Sequence, residues 1–340
     1  MANRNFSLQE YFLQRGYQTT PELAFRGGNV ENWQGELKEK VLQLLGDFPA
    51  PVDPNPEIIW RIEEDGLIKE KVVFDTEQHM SVPAIVVRRA DLDPTQKHKG
   101  LLCIHGHGPF GKLSVAGVGI SSEHQKVIEQ FNYDYGAQFA REGYITISPD
   151  LRNFGERGVH AEYPGRDSCN VHFIRGLLLG INLMTLNIWD MMRTIDYLIS
   201  RDDVDPERIG CIGLSLGGTT TLHVAALDTR IKAAGIFSAL TTYEEYAIKM
   251  ANFCGSQFIP GMYQVADLAD IAGLIAPRPL FISNGVFDDG FPIEASLTAH
   301  EHLTEIYTSA GVPDRLTIDV FNGGHVFGGG KAFSFLESWL

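Results

Sequence analysis

Apolar residues follow two rhythms along this chain. Over residues 34–45 the spacing is helical, with Leu37, Val41, Leu44 and Leu45 on one face. Gly46 ends that helix, and Pro49, Pro51, Pro54 and Pro56 make an extended connector. Beyond about residue 70, short apolar runs alternate with longer amphipathic ones. Residues 71–74 and 82–88 read as paired strands that open this part of the chain. The runs at 101–105, 144–148, 208–214, 233–238 and 279–284 are mostly apolar, as strands buried on both faces are, and 316–321 reads as a further strand. Residues 135–142, 183–200, 293–310 and 331–340 predict helices. This alternation predicts an α/β fold with a mostly parallel central sheet and helices on both faces. Residues 1–70 are expected to form a helical extension packed on the core, and residues 71–340 the main domain. In such sheets ligands gather at the carboxyl ends of strands.

Composition narrows the partners more than the fold. The chain has 340 residues, enough for an α/β domain of roughly 250 residues plus an extension. It carries 28 basic and 43 acidic residues, a formal net charge of −15. That balance disfavours nucleic acid or an anionic membrane as the main partner. The first ten residues lack the apolar run of a signal peptide, and the richest apolar stretch, 176–186, is too short to span a bilayer and contains Asn182. Of the four cysteines, Cys103 and Cys211 sit inside strand-like runs and read as small hydrophobes. With Cys169 and Cys254 they form neither a disulfide framework nor a zinc spacing, which points to a reducing, cytoplasmic location. A homo-oligomer is left open.

The chemistry concentrates at Gly213-Leu214-Ser215-Leu216-Gly217-Gly218. A short apolar strand precedes this stretch and a helical one follows it. A serine on a sharp strand-to-helix turn with glycines two positions either side is a nucleophile elbow. The turn strains the serine backbone and packs strand against helix, leaving no room for a Cβ at Gly213 or Gly217. A serine hydroxyl needs a base, and Asn322-Gly323-Gly324-His325 follows the last predicted strand, where this arrangement puts its histidine. The imidazole in turn needs a carboxylate. Asp288, the third residue after Gly285, is favoured, and Asp289 is the alternative; the other of the two serves the turn. The order Ser–Asp–His is the one this elbow requires. An oxyanion needs two N–H donors. Leu216 supplies one at a helix start, and the His105-Gly106-His107-Gly108 loop supplies the other through His107.

The remaining polar motifs carry structural expectations. His105 is read as a core histidine bonded to backbone. The His105/His107 pair suggests a metal, but no further Asp and His follow at metallohydrolase spacing, so neither metal nor cofactor is expected. Residues 150–157, Asp-Leu-Arg-Asn-Phe-Gly-Glu-Arg, read as a loop pinned by Asp–Arg pairs. Met184, Trp189 and Met192 are read as core. Residues 108–134, 152–182 and 241–275 shape the pocket and are too short for a large separate lid, which implies an open site for short acyl groups.

Taken together, these residues resemble α/β-hydrolase esterases of the acetyl xylan esterase, cephalosporin deacetylase and dienelactone hydrolase type. Asp202-Asp203-Val204-Asp205-Pro206-Glu207-Arg208-Ile209-Gly210, Leu227-Asp228-Thr229-Arg230-Ile231-Lys232-Ala233 and Ala276-Pro277-Arg278-Pro279-Leu280 carry the likeness beyond the elbow. In those esterases a tyrosine commonly stands where this chain has His107. The resemblance implies hydrolysis of small acyl esters, acetyl above all; the spacing alone implies a serine acyl hydrolase. Three other readings compete. A peptidase of the prolyl oligopeptidase type would need a β-propeller, for which the residues before the core are too few. A dinucleotide-binding loop would need glycine at Ser215, and a P-loop would need Gly-Lys-Ser/Thr. A hydrolase fold retired to binding would not need a complete triad.

Overall fold

The computed structural model describes residues 4–158, 165–252 and 254–340. Nine strands form one sheet: β1 (Glu57–Glu64), β2 (Leu67–Glu77), β3 (Met80–Arg89), β4 (His98–Ile104), β5 (Ile145–Pro149), β6 (Val204–Leu214), β7 (Ile231–Phe237), β8 (Leu280–Gly285) and β9 (Leu316–Phe321). Their order is β1-β2-β3-β5-β4-β6-β7-β8-β9. The pairs β1/β2, β2/β3 and β3/β5 are antiparallel; every pair from β5/β4 to β8/β9 is parallel. The architecture is an α/β-hydrolase fold. The central strands are buried on both faces, which is why their sequences are apolar without alternation.

The sheet reaches upstream of residue 70. β1 lies wholly before that point, and β2 begins at Leu67. β1 is an exposed edge strand, Glu-Ile-Ile-Trp-Arg-Ile-Glu-Glu, in which charge hides the strand signal. The helix Val30–Leu45 docks on the core through Leu37, Val41 and Leu45, all buried, each worth about 1.5–3 kcal/mol in transfer from water. Polar contacts fix its position. Gln34 Nε2 donates to Gly273 O and Ala276 O at 2.8 Å each, and Trp33 Nε1 donates to Leu23 O at 2.7 Å. Gly46 ends the helix at φ 75° and ψ −164°, a conformation that suits glycine, and its N–H donates to Leu42 O at 3.1 Å.

Stretches expected to be loops contain helices: Ser122–Phe131 between β4 and β5, Ser168–Leu179 before the long Leu183–Ile199 helix, and Leu268–Gly273 before β8. Ser122–Phe131 is mostly polar and Leu268–Gly273 spans only six residues, so neither offers a long apolar rhythm. Residues 159–164 and 253 of the expected pocket-lining stretches lie outside the described residues. No single helix among the described residues is long and apolar enough to cross a membrane.

Candidate active site

Ser215 stands between the end of β6 and the helix Leu216–Leu227. Its backbone has φ 60° and ψ −122°, a strained conformation for a residue with a side chain. Hydrogen bonds on both sides hold it there: Ser215 N–H donates to Phe237 O and Thr219 N–H to Ser215 O, each at 2.9 Å. The glycines have the steric task expected of them. A Cβ on Gly213 would lie 2.3 Å from Gly217 O, and one on Gly217 would lie 1.9 Å from Ile104 O. The turn therefore clamps β6, β4 and the following helix together.

His325 lies on the loop after β9, and its Nδ1 is 2.8 Å from Asp288 Oδ2. Asp288 sits past β8 and is buried. Its other oxygen accepts from the N–H groups of Gly290 and Phe291, both at 2.9 Å. These bonds fix the carboxylate and make it an acceptor, so the imidazole carries its proton on Nδ1 toward Asp288 and presents Nε2 outward. The ring stacks on Phe291 with centroids 5.6 Å apart. Asp289 is exposed, and no hydrogen bond joins it to His325 among the described residues. The carboxylate behind the histidine is Asp288.

Ser215 and His325 line one cavity of about 370 Å³ with His107, Pro109, Phe110 and Tyr133. No hydrogen bond joins the serine to the imidazole among the described residues; catalytic bonds of this kind often tighten only with substrate bound. The cavity wall is largely apolar. Leu216 is the first residue of its helix, and neither its N–H nor that of His107 has a partner among the described residues.

The loop after β4 is held by residues whose part was not legible in sequence. Gly106 N–H donates to Tyr133 Oη at 2.9 Å, and Tyr135 Oη donates to Ile104 O at 2.6 Å. His105 is buried, with Nδ1 2.7 Å from Gly106 O and Nε2 accepting from Leu151 N–H at 3.0 Å. Burial pushes its pKa down and keeps it neutral. Both ring nitrogens are engaged by backbone, so a His105/His107 metal pair is ruled out by geometry. The His107 imidazole instead meets a thiol, with Nε2 3.0 Å from Cys254 Sγ.

The 150–157 loop is ionic, with partners other than those expected. Asp150 pairs with Lys112, whose Nζ is 2.6 Å from Oδ2. Arg152 binds buried Asp190 with two bonds, at 2.8 and 2.9 Å, and Arg157 approaches the same carboxylate at 2.8 Å. The second carboxylate comes from the long helix, so no local spacing reveals it. Met184 is buried as expected, and Trp189 and Met192 are partly buried.

The model of the acetyl xylan esterase family matches residues 125–253. This match, over less than half of the chain, and the fold support a carboxylic ester hydrolase of the α/β-hydrolase type that resembles acetyl xylan esterase. Among individual proteins, the chain is 29% identical over 324 residues to YtaP of Bacillus subtilis, a hydrolase by name, covering 90% of this chain and 100% of that one. A Bacteroides fragilis structure named for acetyl xylan esterase superposes with TM-score 0.77 and 21% identity, covering 94% of this chain and 83% of that one. A glucuronoyl esterase from Solibacter usitatus superposes with TM-score 0.68 and 15% identity, covering 95% and 98%.

Proposed function

We propose that Ser215, His325 and Asp288 form a triad that hydrolyses short-chain carboxylic esters, acetyl esters above all, through an acyl-enzyme. Ser215 Oγ attacks the ester carbonyl while His325 Nε2 takes its proton. Asp288 holds the imidazole in the tautomer that leaves Nε2 free and stabilises the imidazolium. The N–H groups of His107 and Leu216 face the oxyanion, and the helix that starts at Leu216 adds its positive end. His325 then protonates the leaving alkoxide, and in the second half-reaction it draws a proton from water as that water attacks the acyl-enzyme.

The observation that carries this reading is the 2.8 Å Asp288–His325 bond in a cavity that Ser215 also lines. The strained elbow beneath Ser215 supports it. The walls of Phe110, Val127 and Phe131 favour a small apolar acyl group. Ser215→Ala should cut p-nitrophenyl acetate turnover by about 10⁴–10⁶-fold with an unchanged circular dichroism spectrum. Full activity in that variant would overturn the assignment. Rates on acetyl, butyryl and octanoyl esters should fall with chain length, and a preference for octanoyl would contradict the acyl-size argument.

A further inference from the structure

Three neighbouring groups have no part in the proposed ester hydrolysis: the imidazole of His107, a residue that lines the Ser215 cavity, and the thiols of Cys169 and Cys254. His107 Nε2 is 3.0 Å from Cys254 Sγ, and the three donor atoms lie within 4.8 Å of one another. They form the one such trio of His, Cys or carboxylate donors among the described residues.

Each donor is held by a separate element. Cys169 is the second residue of the Ser168–Leu179 helix, whose first turn is capped by Asp167 accepting from Asn170 N–H at 3.1 Å. Cys254 directly precedes the short turn Gly255–Gln257, which packs on that helix. Glycine at 255 makes the approach possible: a Cβ there would lie 2.2 Å from Phe173 Cβ and 3.1 Å from Cys169 O. Gly255 N–H also donates to Asn170 Oδ1 at 2.9 Å. His107 comes from the loop after β4, its ring standing edge-on to Phe154 with centroids 5.1 Å apart. Both thiols are buried, while His107 is exposed, so an ion can reach the trio from the solvent side.

We propose that His107, Cys169 and Cys254 form a binding site for one borderline-soft divalent cation, with zinc the best fit. Two thiolates and an imidazole select zinc over magnesium or calcium, which take oxygen ligands. Zinc–sulfur bonds of about 2.3 Å and zinc–nitrogen bonds of about 2.0–2.1 Å in a tetrahedron put the donors about 3.6–3.8 Å apart. Donors already within 4.8 Å reach that geometry through side-chain shifts of about 1 Å or less. Both cysteines bind as thiolates and release their two protons to solvent, and no electron is transferred. Water fills the fourth position. The site is spread over positions 107, 169 and 254, which is why no ligand spacing announces it in the sequence. Its readout is cation binding, so it stands or falls separately from the triad.

The test uses the full-length protein, reduced and stripped of metal, titrated with cobalt(II) as the probe. The expected result is a one-to-one complex with thiolate-to-cobalt charge-transfer absorption, displaced by zinc. Cys169→Ser, Cys254→Ser and His107→Ala should each weaken zinc binding at least about 100-fold. Should the serine variants fail to fold, X-ray absorption of the zinc-loaded wild type decides, with two sulfur ligands and one imidazole expected. Absence of a thiolate band from reduced wild-type protein overturns the proposal. So does a band that survives in the Cys169→Ser/Cys254→Ser double variant, or a shell of oxygen and nitrogen alone.

Discussion

Gly217→Ala probes how tightly the turn under Ser215 is built. A methyl group there would lie 1.9 Å from Ile104 O and 2.7 Å from His105 O. An acceptable approach is no closer than 3.0 Å, so the backbones must part by 3.0 − 1.9 = 1.1 Å. The carbonyls belong to the end of β4 and the loop after it, and β4 is hydrogen-bonded to β5 and β6 in the middle of the sheet. The displacement therefore falls on the start of the Leu216–Leu227 helix, which carries Ser215 and the Leu216 N–H. A 1 Å error in a reacting group costs about 10²-fold in rate. Overpacking costs about 1–3 kcal/mol, and the upper end applies because both partners are backbone. For a chain of 340 residues that corresponds to a Tm lower by about 4 °C. The assay is kcat/KM on p-nitrophenyl acetate, normalised to serine titrated by a fluorophosphonate, together with a thermal melt. Gly35→Ala is the control: it sits in the Val30–Leu45 helix with nothing within 4 Å of the added methyl. It should gain about 0.5–1 kcal/mol and leave kcat/KM unchanged. A Gly217→Ala enzyme within about threefold of wild type would refute the claim that the elbow is sterically set.

Other perturbations separate the remaining roles. Asp288→Asn should lower kcat by about 10⁴-fold by favouring the wrong imidazole tautomer. Asp289→Asn should leave kcat near wild type, and the reverse pattern would reassign the acid. Asp190→Asn leaves Arg152 and Arg157 buried without their full counter-charge; urea denaturation should report a loss of about 3–5 kcal/mol. Burial pushes the His223 pKa down to about 4 from 6.5, so the unfolded chain takes up that proton first as pH falls. Its contribution to stability is present above pH 6.5 and is lost between pH 6.5 and about 4. His223→Gln should flatten the fall in unfolding free energy between pH 7 and pH 4.5, and equal slopes would exclude this histidine as a source of acid sensitivity.

Legibility followed the range of the forces involved. The central strands could be read because burial on both faces demands continuous apolar residues, and the alternation of strand and helix then indicated a parallel sheet. β1 could not, because its edge position lets charged residues into half of its places and breaks the apolar run. The glycines beside Ser215 were legible because close backbone approach leaves no room for a side chain: a Cβ at Gly213 would lie 2.3 Å from Gly217 O, and one at Gly217 would lie 1.9 Å from Ile104 O. The helix Ser168–Leu179 was missed because it leaves Ile174, Leu178 and Leu179 exposed and so lacks a clean amphipathic rhythm.

The sequence by itself determined the fold class, the candidate nucleophile and base, and two candidates for the carboxylate. Each depends on a local pattern: a turn chemistry, a run of apolar residues, an order along the chain. Tertiary structure decided which aspartate stands behind His325, because the choice depends on the 2.8 Å bond and on the N–H groups of Gly290 and Phe291 that aim Asp288. It also decided that Asp190 holds the 150–157 loop and that His107 meets Cys169 and Cys254. Charge pairs and ligand sets are fixed by distances in space, and residues far apart in the chain leave no local signature of those distances.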